Sequence, residues 1–166
     1  MPPRRYLQVD VFSKRPGCGN PLAVVLDAEG LNSEQMQKIA AWTNLVETTF
    51  VLPPTQPGAD YKVRIFCPSG ELPFAGHPTL GTCHAWLQAG GTPKGSDVVQ
   101  ECGVGLVRIR RDGERLAFAA PPLINNAPLP DDELALIVRG LGIERSDVVA
   151  HAWCDNGPKW RGLLLR

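Results

Sequence analysis

No sign of charge predominates in this sequence. Its 17 Lys and Arg are matched by 17 Asp and Glu, so it lacks the basic surplus on which phosphate binding depends. That excludes nucleic acid as the expected partner, and the lack of a polybasic run argues equally against an acidic membrane surface. Cysteine is scarce and unordered. The five residues at 18, 67, 83, 102 and 154 include no C-x-x-C pair, which fits reduced thiols better than a disulfide framework or a zinc cage. The N-terminus has no long apolar run: Arg4 and Arg5 lead directly into Tyr6-Leu7-Gln8-Val9-Asp10, without the apolar core of a secretory signal. The expected location is the cytoplasm. Residues 72–93 lack charge altogether, but Pro73, Gly76, Pro78, Gly81, Gly90, Gly91 and two histidines interrupt them. A buried helix of a soluble domain is expected there, not a membrane span. With 43% hydrophobic residues over 166 positions, the chain has material for one ordinary globular domain.

What is present is mostly strand. Tyr6-Leu7-Gln8-Val9-Asp10-Val11-Phe12 alternates in part and is rich in strand formers. A turn with Pro16, Gly17 and Gly19 separates it from the apolar run 21–26, a second strand. Asn32 with Gln35 three positions on has the spacing of a capping box, followed by Met36, Ile39, Ala40 and Thr43 at helical intervals. Positions 47–52 and 61–66 read as strands. The charge-free stretch predicts a helix over 78–89, with Pro78 in the first helical position and Gly90 as its stop. Leu80, Cys83, Ala85, Trp86 and Leu87 spread apolar surface nearly all round that helix, so other elements must wrap it. Strands over 98–101, 106–110 and 115–119 follow, joined at Gly103-Val104-Gly105 and Asp112-Gly113.

Pro121, Pro122, Pro128 and Pro130 then mark a boundary. Beyond it, Asp131, Asp132 and Glu133 open a short amphipathic helix that carries Leu134, Ile137, Val138 and Leu141 on one face and Arg139 near its end. A strand over 148–150, a turn at Asp155-Asn156-Gly157-Pro158 and an apolar run ending in Gly162-Leu163-Leu164-Leu165 close the chain, with no return strand expected for that run. Cys154-Asp155-Asn156-Gly157-Pro158 faintly echoes Cys18-Gly19-Asn20-Pro21.

Three features bear on chemistry. Gly76-His77-Pro78 opens the apolar helix, and backbone N–H groups at a helix start suit an anion such as a carboxylate. The plainer reading is that Gly76 makes a turn and His77 caps the helix. Glu47 stands at the mouth of its strand, with Thr49 and Val51 on its face and Thr48, Phe50 and Leu52 on the other. Such a carboxylate is ordinarily solvated; to act as a general base it needs burial that raises its pKa. Cys83 lies beside His84 and six residues after His77, yet a buried free cysteine is most often a small core residue.

Taken in order, several blocks resemble the phenazine-biosynthesis PhzF-like isomerase family, relatives of diaminopimelate epimerase. They are Val9-Asp10-Val11-Phe12, Gly19-Asn20-Pro21-Leu22-Ala23-Val24-Val25, Glu47-Thr48-Thr49-Phe50-Val51, Val63-Arg64-Ile65-Phe66, Glu71-Leu72-Pro73-Phe74-Ala75-Gly76-His77-Pro78-Thr79-Leu80-Gly81 and Gln100-Glu101-Cys102-Gly103-Val104-Gly105. The resemblance implies an α+β, diaminopimelate epimerase-like lobe, a strand-rich barrel-like sheet wrapped around a central helix. It implies that Glu47 is the acid/base moving a proton on a small carboxylic acid and that His77 belongs to its hydrogen-bond network. Gly76, His77 and Pro78 would hold the substrate carboxylate, and neither cofactor nor metal is expected. Epimerase relatives use a cysteine pair, but Ala75 stands at the first cysteine position, which speaks against a two-thiol racemase; that alternative predicts inactivation by thiol alkylation. Val46 stands where the family commonly has a serine.

The resemblance divides the chain into an N-terminal epimerase-like lobe over 1–120, a Pro-rich linker and connecting helix over 121–150, and the start of a truncated second lobe over 151–166. A competing reading is a non-catalytic lobe that binds a carboxylate or a protein, since catalysis needs preorganised groups on both sides of the reacting atoms. An incomplete pair of lobes exposes an apolar inter-lobe face, which predicts self-association into a homodimer. Light scattering at high concentration checks this, and a strict monomer contradicts it.

Overall fold

In the computed structural model, which describes residues 3–113, 115–156 and 158–166, the first 120 positions build one curled, mixed sheet. Its strands are β1 (Tyr6–Val11), β2 (Asn20–Val25), β3 (Glu47–Leu52), β4 (Tyr61–Cys67), β5 (Gly70–Leu72), β6 (Val98–Cys102), β7 (Gly105–Asp112) and β8 (Arg115–Phe118). They run in the order β1-β2-β3-β4-β6-β7-β8, with β5 paired onto β4. Two pairings are parallel, β2 with β3 and β4 with β6, and the others are antiparallel. Helix α1 (Ser33–Thr43) is closed by the expected capping box. The Asn32 side chain accepts from the Gln35 N–H at 2.9 Å and the Gln35 side chain accepts from the Asn32 N–H at 3.0 Å.

Helix α2 (Gly76–Gln88) touches β1, β2, β3, β6 and β8, so the sheet wraps it. Of its residues, His84 and Gln88, one turn apart, are the exposed ones. This arrangement explains the missing charge, because almost every direction around the helix leads into protein. The β3 alternation sorts two cores. Val51 joins Leu22, Tyr61, Ile65, Phe74 and Cys83 around α2, whereas Phe50 joins Met36, Ala40 and Phe66 beneath α1.

Two buried polar chains fasten α2. Thr82 donates to the Thr49 hydroxyl at 2.8 Å, and Thr49 donates to the Ala23 carbonyl at 3.3 Å. Nearer the helix start, Tyr61 donates to Gln100 at 3.0 Å, Gln100 donates to the Thr79 hydroxyl at 3.1 Å, and Thr79 donates to the Ala75 carbonyl at 2.9 Å. Gly81 sets the depth. A Cβ there would lie 2.6 Å from the Leu22 side chain and 2.7 Å from that of Val11, so any larger residue would force those buried side chains to shift.

Most strand ends shift by a residue or two from the sequence reading, and three differences have a physical reason. Helix α2 begins at Gly76, two residues early, with Ala75 as its cap. The first amide with an intrahelical acceptor is that of Thr79, which donates to Ala75 at 3.2 Å. Proline therefore fits the third helical position as well as the first, because no N–H is required there. Strand β1 stops at Val11, and Phe12 turns away at φ 69°. The short strand β5 gives no periodic signal of its own.

Residues 121–166 form a second compact unit. Helix α3 (Asp131–Leu141) packs Leu134 against Leu129 and Val148, with Trp153 and Leu163 alongside. Strand β9 (Val148–Asp155) is longer than expected, and β10 (Lys159–Leu165) pairs antiparallel with it, Gly162 opposite Ala152. The closing apolar run is thus itself the return strand. In the turn between them, Gly157 lies outside the described residues. Among the described residues no helix is long and apolar enough to cross a membrane.

One buried carboxylate ties a loop to the sheet. Glu101 of β6 is 3% exposed and accepts N–H bonds from Thr55 at 2.7 Å and Gln56 at 2.9 Å, with Lys62 at 3.0 Å. Burial alone would push its pKa up, but these donors outweigh it and hold the group down to about 2, against an ordinary 4.5. A depressed folded-state pKa gives stability that is complete above the unfolded value and is lost as pH falls towards the folded one. Glu101→Gln should lower unfolding free energy at pH 7 by roughly 2 kcal/mol. Urea titrations should show that deficit shrinking between pH 4.5 and about 2; a deficit constant with pH would contradict this assignment.

Candidate active site

The site is built where the start of β3 meets the start of α2. Parallel pairing sets Leu22 of β2 against Glu47, and alternation turns Glu47, like Thr49 and Val51, towards α2. The Glu47 Oε2 atom lies 3.2 Å from the Nε2 atom of His77, the second residue of the helix, and the two side chains are only 10% and 9% exposed. The approach lacks the alignment of a hydrogen bond, so both atoms are buried without a partner. Unpaired buried polar atoms are uncommon and call for a cause.

The electrostatics distinguish this pair from a structural salt bridge. A stable ion pair would lower the pKa of a carboxyl and raise that of an imidazole. Here burial raises Glu47 and lowers His77. Both groups are driven towards their neutral forms, the condition in which a carboxyl can give and take a proton near working pH.

Beside them stands the free end of α2. Thr79 is the first residue bonded within the helix, and Pro78 has no N–H, so the main-chain donors of its first turn without an intrahelical acceptor are those of Gly76 and His77, together with that of the capping residue Ala75. No side chain caps them. The structure thus brings Glu47, Gly76 and His77 together. Pro78 is buried in the same turn but has no donor to offer.

One neighbour escaped the sequence reading. The Phe12 ring lies 6.5 Å from the His77 ring at 55°, while 73% exposed. A bulky residue at positive φ is strained by on the order of 1–3 kcal/mol, and nothing in the sequence flags that conformation. Val46, just before Glu47, is 55% exposed. Cys83, the thiol within α2, is poorly placed for catalysis, since burial pushes it up to about 12, and Ala75 supplies no sulfur. Among the described residues no three His, Cys, Asp or Glu side chains group as a metal site.

Residues 9–160 match the family described as phenazine biosynthesis-like protein. The chain is 53% identical over 162 residues to the trans-2,3-dihydro-3-hydroxyanthranilate isomerase of Pseudomonas aeruginosa, covering 93% of the chain and 55% of that protein. It is 43% identical over 169 residues to the Schizosaccharomyces pombe protein named antisense-enhancing sequence 1, covering 96% and 57%. The solved structure of a predicted epimerase from Pseudomonas aeruginosa matches with a TM-score of 0.73 at 30% identity, covering 91% of the chain and 55% of that structure. The chain therefore spans a little over half the length of the curated relatives it matches. The fold is diaminopimelate epimerase-like, with the sheet curled around α2 as its central feature.

The burial of Glu47 has a measurable effect on stability. Its folded pKa is raised, so its favourable contribution is complete below the unfolded value and is lost as pH rises through the folded one. Glu47→Gln removes the burden of ionising in a dry place. It should therefore unfold at a higher temperature than wild type at pH 8, by about 2 °C or more. The two curves should converge below pH 4.5. A variant less stable than wild type at pH 8 would contradict the burial argument.

Proposed function

The chain belongs to the phenazine biosynthesis-like protein family, and from that premise we propose that it acts as a cofactor-independent isomerase in which Glu47 moves a proton on a small carboxylic acid. The observation that carries this reading is the unpartnered pair of Glu47 Oε2 and His77 Nε2, 3.2 Å apart and nine-tenths buried, beside the uncapped start of α2.

The scheme follows from the positions of the groups. The substrate carboxylate accepts from the Gly76 and His77 N–H groups, where the helix dipole adds positive potential. Glu47, ionised, removes a proton from a carbon near that carboxylate. The electron pair left behind is delocalised towards the carboxylate, and the helix amides stabilise the growing negative charge better than they stabilise the ground state. Glu47, now protonated, returns the proton at another carbon. Neutral His77 packs against the Glu47 carboxyl, its Nε2 3.2 Å from Oε2, and contributes no charge of its own. No metal or organic cofactor enters the scheme. By analogy with the isomerase of Pseudomonas aeruginosa, the proposed substrate is trans-2,3-dihydro-3-hydroxyanthranilate or a closely related unsaturated, amino-substituted acid.

Incubation with that acid in deuterium oxide, followed by mass spectrometry, tests the scheme. Wild type should incorporate deuterium into substrate and product. Glu47→Gln should slow incorporation by about 10²–10⁴-fold, and Glu47→Asp by less. The acid limb of kcat/KM should have its midpoint above 4.5, the ordinary value for this group. Undiminished exchange in Glu47→Gln would refute the scheme. Binding of the acid without exchange in wild type would instead favour the carboxylate-binding, non-catalytic lobe.

A further inference from the structure

The scheme above accounts for the carboxylate and the reacting carbon but not for what lies against the rest of the substrate, and the neighbouring feature it leaves unused is Phe12. That residue holds a left-handed backbone, φ 69°, that burial does not reward, since its ring is 73% exposed. The surrounding chain imposes the conformation. Asp10 accepts N–H bonds from Gly17 at 2.7 Å and Cys18 at 3.2 Å, drawing the loop back onto the end of β1. The Ser13 hydroxyl accepts from the Arg15 N–H at 3.0 Å. Gly19 runs so near the strand that a Cβ would lie 2.2 Å from the Val11 carbonyl and 2.5 Å from the Asp10 carboxylate. Val11 is in turn held in register opposite Asn20. A strained residue, fixed on both sides and open to solvent, is the pattern expected where its side chain meets a ligand.

Its direction is informative. The ring stands within aromatic contact distance of His77, whose Nε2 faces the unpartnered Glu47 oxygen. A molecule whose carboxylate sits on the amides of Gly76 and His77, with its reacting carbon at Glu47, lies beside His77, the ring that Phe12 faces. We infer that Phe12 is the specificity-determining residue of this site, the wall that selects a carboxylic acid borne on a flat, unsaturated ring over an open-chain one. The inference rests on the reading of Glu47 and α2 given above, and it names the substrate class for that site. A phenylalanine has only two side-chain torsions, so a clamped backbone presents its face with little further ordering.

Calorimetric binding of two non-reacting acids tests this without relying on turnover. The flat probe is anthranilate and the open-chain probe is 3-aminopropanoate, measured on wild type, Phe12→Tyr, Phe12→Gly and Glu47→Gln. Wild type should prefer anthranilate. Phe12→Tyr should keep that preference within about twofold, whereas Phe12→Gly should weaken anthranilate by about tenfold and leave 3-aminopropanoate unchanged. Phe12→Gly should also melt no lower than wild type, since glycine accepts positive φ without strain. That result separates a ligand-facing role from a structural one. Equal weakening of both probes, no weakening, or no preference in wild type would overturn the proposal. Glu47→Gln should still prefer anthranilate. If that variant keeps full turnover, the acid–base reading fails while the ring preference stands; if the preference depends on Glu47 and not on Phe12, the wall fails instead.

Discussion

The enclosure of α2 by the curled sheet is the constraint on which the rest of the first unit depends. A helix held on so many sides cannot slide or rotate without breaking a buried contact. Thr82 and Thr79 convert that packing into a fixed register through hydrogen-bonded chains that end on the backbone of β2 and on the side chains of β4 and β6. In a dry interior such chains are rigid because each member would be costly to leave unpaired. The absence of a side chain at Gly81 lets the helix sit deep, and its depth decides how near its first turn comes to β3. The 3.2 Å approach of His77 to Glu47 follows from packing several residues away.

The molecule treats its buried acids in opposite ways. Glu101 is surrounded by donors and held ionised, a fastening for the 53–60 loop. Glu47 lies in comparable burial with a single misaligned neighbour and is pushed towards neutrality. Desolvation acts on both; the difference lies in how many N–H and O–H groups the local chain aims at each one. One sheet thus holds both a stabilised and a destabilised carboxyl, and the destabilised one is beside an open helix end.

Much of this was legible in the sequence, and the rest was not, for identifiable reasons. The face shared by Glu47, Thr49 and Val51 follows from a period of two, and the capping box at Asn32 and Gln35 follows from spacing. The wrapped helix follows from its lack of charge. The start of α2 was misjudged because proline is equally at home anywhere in a first turn, where no donor is needed. The full length of β9 is not legible because His151-Ala152-Trp153-Cys154 has no clean alternation; it is recruited by β10 and the apolar side of α3. Phe12 reads as strand because its neighbours are strand formers. Its turn is imposed from a distance by Asp10 and Gly19, and no local propensity encodes that.

The proline in the first turn of α2 has a stoichiometric consequence. By occupying the third helical position it removes one of the main-chain donors that a helix start ordinarily offers. The imino acid therefore reduces the number of donors at that helix start without adding any attractive contact.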